Sequence, residues 1–232
     1  MAEWVSYESA DQPPAEISFD VDFDEDDEFK QSHPYAAIVT ASGDSDALFD
    51  IGNGIEAALN ATGGALVAIV AENGTATLYG YVEDPSQVEL ARAVTHAGFN
   101  IDVRTERDDA WRYYERCVLR GEELERARDV EQLEELREVG ASLDAPVDVT
   151  FYLEFVSTEA LRDALPDLNA AGYAVPEISQ EFFSDEGITV VREMILTLEN
   201  LIAERAKLST IATDHGGHYD GWSIDEEVVN NV

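Results

Sequence analysis

The sequence predicts an α+β protein built as two tandem ferredoxin-like βαββαβ sandwiches joined by a charged helical segment. Three observations carry that expectation. Segments in which apolar residues alternate with polar ones, the period of a half-buried strand, occur in both halves of the chain. Helical stretches with a 3.6-residue apolar period lie between them in the same order twice. The length, 232 residues, is generous for one core and comfortable for two. The expected division is a first domain over residues 1–120 and a second over 121–232.

The elements follow in order. In ISFDVDF, Ile17, Phe19, Val21 and Phe23 alternate with Ser18, Asp20 and Asp22, which predicts a strand over 17–23. The run DEDDEFKQSHP is expected to be a polar loop. YAAIVTAS predicts a strand over 35–42, and Leu48, Ile51, Ile55 and Leu59 share a helical face that ends at Gly63 and Gly64. ALVAIVAENGTATLYGYV predicts a hairpin turning at Asn73-Gly74, whose first strand is apolar throughout and therefore central. Asp84 and Pro85 have the chemistry of a helix start, and Gly98 that of its end. FNIDVRT is then a strand.

Residues 108–145 are helical in composition and highly charged, with breaks at Gly121 and Gly140. In VDVTFYLEFV, Val147, Val149, Phe151, Leu153 and Phe155 face one way and Asp148, Thr150, Tyr152 and Glu154 the other. A helix follows, capped by Ser157 or Thr158 and kinked or split at Pro166. YAVPEIS and GITVVREMIL read as strands, Leu198, Leu201, Ile202, Leu208 and Ile211 mark a long helix, and HYDGWSI closes the sheet. Each sheet is expected to be covered by two helices on one face.

Composition narrows the function. The longest apolar runs are far shorter than the ~20 residues of a membrane span, and the N-terminus has no secretory signature, so a cytoplasmic location is expected. Cys117 is the only cysteine, which excludes an internal disulfide and a cysteine-based zinc site, and its setting predicts a buried or half-buried helical thiol. The formal charge is −36, and Lys30 and Lys207 are the only lysines. That charge repels itself at low salt. At molar salt the Debye length falls to ~3 Å and the repulsion is screened, which points to the cytosol of a salt-accumulating organism. No basic stripe exists to neutralise phosphates, so direct nucleic-acid binding is not expected.

The segment HGGHYDGWSID, residues 215–225, concentrates the unusual chemistry. One reading is a metal site at His215, His218 and Asp220, since histidine and carboxylate at short spacing ligate zinc or iron. The other is architecture. Gly216 and Gly217 allow the helix-to-strand turn, Gly221 allows a bulge or close packing, and Trp222 anchors the strand under the final helix. The architectural reading is preferred, because three ligands on one strand-entry turn match no usual metal arrangement. No nucleophile elbow, phosphate loop, dinucleotide fingerprint or HExxH is present, so neither an enzyme nor a cofactor is expected. The acidic run 20–29 lacks the glycine and ligand spacing of a calcium loop.

With HYDGW and the element order before it, roughly 125–225, the second half resembles the regulator of ribonuclease E activity B family. That resemblance implies a ferredoxin-like protein that binds a ribonuclease and inhibits its RNA cleavage without being an enzyme. Tyr219, Asp220, Gly221 and Trp222 match the family's signature. The first half resembles a domain of unknown function found in front of such regulators, through Trp4 and Tyr7, HPYAAIV, TLYGYVEDP and DDAWRYYERCV. The expected function is a protein-binding regulator. A metal-dependent enzyme or metal-binding module using His215, His218 and Asp220, or a purely structural dimerisation protein, are the alternatives.

Overall fold

A computed structural model describes residues 3–10, 13–42, 48–95, 100–174 and 187–224. They form two compact units, Met1–Arg128 and Asp129–Val232. The division falls inside the helix Glu122–Glu138.

The first unit contains β1 (Trp4–Glu8), β2 (Glu16–Asp20), α1 (Asp27–Ser32), β3 (Tyr35–Ser42), α2 (Leu48–Asn60), β4 (Ala65–Glu72), β5 (Thr75–Val82), α3 (Glu89–Arg92), β6 (Asn100–Arg107), α4 (Arg112–Glu115) and the first turns of α5 (Glu122–Glu138). Its sheet runs β1-β2-β4-β5-β3-β6, antiparallel throughout. The last four strands, with α2 and α3 as crossovers, have the ferredoxin-like order. The β1–β2 hairpin extends it by two strands. The β4–β5 turn places Asn73 at φ 51° and Gly74 at φ 74°, the two positive values a tight two-residue hairpin requires.

Several expectations are corrected here. β1 was not foreseen. The strand expected over 17–23 stops at Asp20, whose carboxylate accepts the Asp22 N–H and turns the chain into one 3₁₀ turn, Val21–Phe23. The supposed polar loop contains α1, capped by Asp26 on the Phe29 N–H at 2.9 Å, and Phe29 packs edge-on to Trp111. The sheet is covered on both faces. Ile51, Ile55, Leu59 and Val88 pack on Val39, Leu66 and Leu78 on one side, while Trp111, Tyr114 and Cys117 pack on Phe19, Ile38, Val67 and Tyr81 on the other. Apolar residues at consecutive positions of β3 and β4 demand cover on both sides. The helix begun by Asp84 and Pro85, with Gln87 completing a capping box, is only a 3₁₀ turn and α3. Its expected end at Gly98 lies outside the described residues.

The second unit contains the rest of α5, β7 (Pro146–Phe155), α6 (Thr158–Ala170), β8 (Gly187–Ile195), α7 (Leu198–Asp214) and β9 (Gly217–Ile224). The strands are antiparallel in the order β8-β7-β9, and Ala174 bridges Val191 on the outer side of β8. This is again the ferredoxin-like order. Most of the expected strand at 173–179 lies outside the described residues. Helix α6 is capped by Ser157 and continues through Pro166 unsplit. One core, with Val149, Phe151, Leu153 and Phe155 of β7 at its centre, lies under Leu161, Leu168, Leu201 and Leu208. Among the described residues no helix is long and apolar enough to cross a membrane.

Candidate functional site

The register of β9 explains the YDGW sequence. Leu153 pairs with Tyr219, Phe151 with Trp222 and Tyr152 with Gly221, so Asp220 is the extra residue of a β-bulge. Without the bulge, strict alternation would put Tyr219 and Trp222 on opposite faces. With it, both turn inward: Trp222 is 6 % exposed and the Tyr219 ring lies 6.5 Å from that of Phe151. Gly221 sits at φ 117°, a conformation that L side chains rarely adopt, although nothing lies within 4 Å of where its Cβ would be. Asp220 is left exposed on the surface.

Trp222 is fixed by charge as well as by packing. Its Nε1–H donates to the Asp129 carboxylate at 2.9 Å, and Arg205 of α7 donates to the other oxygen of the same carboxylate. Asp129 and Arg205 are buried, and Gln132 donates to the Trp222 carbonyl. The last strand is thereby locked to α5 and α7 together. The sequence located Trp222 under the final helix but missed Asp129 and Arg205, which are inconspicuous in charged helices.

The histidines do not converge. His215 caps the end of α7 and its Nε2 meets Asp167 of α6 at 2.8 Å, while His218 lies 3.5 Å from Glu154 of β7 with both side chains largely exposed. No group of three potential metal-ligating side chains forms among the described residues. The donor set His215, His218 and Asp220 has no shared geometry for a metal.

Among the described residues of the second unit, the outer face of its sheet is exposed. Asp148, Tyr152 and Glu154 of β7, Thr189 and Glu193 of β8, and His218 of β9 are exposed there. Tyr152 is central, 37 % exposed, with its hydroxyl 2.8 Å from the Ser223 Oγ. The face is acidic around one aromatic residue.

The first unit holds a comparable lock. Trp111 takes φ 52°, an uncommon conformation for a bulky residue, and stacks on Tyr81 with centroids 3.9 Å apart. Beside it the buried Asp108 carboxylate accepts from the Tyr81 hydroxyl and from Arg112 Nε, both at 2.8 Å. Burial, followed by the bond to Asp108, holds the Tyr81 phenol far above its usual range. Cys117 is buried and its thiol is pushed up to about 11 by desolvation, which removes it from nucleophilic use at neutral pH. These groups are satisfied and enclosed, as a structural core requires.

No curated protein matches this chain. Two solved structures show a distant likeness. One is the crystal structure of an unknown protein from Galdieria sulphuraria, 13% identical with a TM-score of 0.24 over 82% of this chain and 99% of that one. The other is a putative glycine cleavage system transcriptional repressor, 13% identical with a TM-score of 0.21 over 82% of this chain and 98% of that one. At these scores neither bears on function. Residues 126–224, the stretch that carries the Asp129–Arg205–Trp222 lock and the bulged YDGW strand, match the family model for regulator of ribonuclease activity B.

Proposed function

We propose that this protein is a non-enzymatic cytosolic regulator that binds a ribonuclease and restrains its cleavage of RNA, using the outer sheet face of the second unit. The observation that carries this reading is the family match over 126–224, together with an exposed acidic face in that same stretch. A ribonuclease holds RNA in a basic channel. Asp148, Glu154 and Glu193 present the complementary charge, and Tyr152 supplies a rigid aromatic contact of the kind enriched at interface centres. Repulsion between two such faces disfavours the homodimer alternative.

The test is an RNA-cleavage assay with a ribonuclease recovered on the protein from native lysate at high salt. Wild type is expected to slow cleavage, and Tyr152→Arg with Glu154→Lys to lose that effect while keeping its melting temperature. Recovery of no ribonuclease by folded protein would refute the reading.

A further inference from the structure

The first unit contains a cavity of about 600 Å³ on the α2 side of its sheet, a size typical of small-molecule sites. It exists because β1 and β2 extend the sheet beyond the four strands that α2 and α3 cover. The register lays out its floor. Ser6 pairs with Ser18, Ser18 with Ile69 and Ile69 with Leu78, giving one cross-strand row. Glu16, Ala71 and Ala76 form the next. Gly52 of α2 faces this floor, where its absent Cβ would lie 3.9 Å from Ile69 Cδ1 and 4.0 Å from Leu78 Cδ2. The floor is apolar, and Ser6 and Ser18 satisfy each other at 2.8 Å.

The rim has a different chemistry. Glu16 and Glu56 line the opening, and neither forms an ion pair among the described residues. Trp4 lines the same cavity and is only partly buried. The carboxyl of Asp20, cross-strand partner of Trp4, is raised to about 6, first by burial and further by the nearby charges of Asp22, Glu56 and Glu3, against the Asp22 N–H bond that lowers it. Glu16 is exposed and Glu56 half-buried, and both flank the apolar floor beside the Trp4 ring.

We propose that the groove between α2 and the β1–β2 hairpin binds a small organic cation of the arylalkylamine class, its apolar body on Ile69, Ala76 and Leu78 and its ammonium toward Glu16 and Glu56. An anion is repelled by the rim, and the Trp4 ring adds attraction for a cation. An inorganic cation leaves the apolar floor unused.

The experiment is isothermal titration calorimetry of the full chain with 2-phenylethylamine and with phenylacetate, which share a ring and differ in charge. The amine is expected to bind about tenfold or more tighter than the acid. Glu16→Gln with Glu56→Gln is expected to weaken amine binding about tenfold without lowering the melting temperature, and Gly52→Leu, which fills the floor, to abolish it. Equal binding of amine and acid, absence of amine binding, or amine binding unaltered by the double glutamine variant would overturn the proposal.

Discussion

Trp222 donates its indole N–H to Asp129, 2.9 Å away, and so ties the last strand to the helix where the second unit begins. The bond is buried and shared with Arg205, which gives Trp222 a structural role in the second unit. Trp222→Phe keeps the packing and removes the donor, and is expected to cost about 1.5–3 kcal/mol, the range for a bond to a charged group. Trp222→Ala also opens a cavity and should cost about 3–5 kcal/mol. Denaturant unfolding of both variants measures the difference.

Removing Asp129 strands a buried guanidinium. Asp129→Ala is expected to cost about 3–5 kcal/mol, and Arg205→Met, which fills the same space without charge, to cost less than Arg205→Ala. The order of the three unfolding midpoints checks this.

Gly221→Ala tests the bulge. Its cost should come from the backbone alone, about 1–3 kcal/mol, because no atom lies within 4 Å of the added carbon. Unfolding curves read the cost, and Asp220→Ala, at the exposed bulge position, should stay within about 0.5 kcal/mol of wild type.

Asp20 makes stability pH-dependent in a direction opposite to a salt-bridged carboxylate. Its pKa rises on folding from 3.8 to about 6, so the folded state binds the proton more tightly. The protonated group costs nothing extra below pH 4, and the penalty grows as pH rises through about 6. Asp20→Asn should therefore stabilise the protein at pH 7.5 by up to about 3 kcal/mol and leave it nearly unchanged at pH 4. Burial is the leading cause, so the effect should persist in molar salt. Thermal melts at the two pH values decide it.

The elements with one dominant signal were legible in the sequence. β7 alternates without fault, the 65–82 hairpin has its Asn-Gly turn, and α7 has its apolar face. What escaped was set by long-range partners. β1 is short and ordinary until it pairs with β2, and α1 is acidic until Phe29 finds Trp111. The second cover on the first sheet was implied by the apolar run of β4, but what supplies it lies at residues 111–127. In the candidate site, Gly221 was readable as the place of a bulge. Asp129 and Arg205 were not readable, because a charge destined for burial looks like any other in a helix rich in charge.

The central claim is that the second unit binds a ribonuclease through its outer sheet face while the YDGW segment holds the fold. The most direct measurement is the affinity of a captured ribonuclease for wild type, for Tyr152→Arg with Glu154→Lys, and for Trp222→Phe, at high salt. The account predicts that the surface variant loses binding by about tenfold or more at unchanged stability, while Trp222→Phe loses stability and, where folded, keeps its affinity. The reverse pattern, binding lost in folded Trp222→Phe and intact in the surface variant, would contradict it.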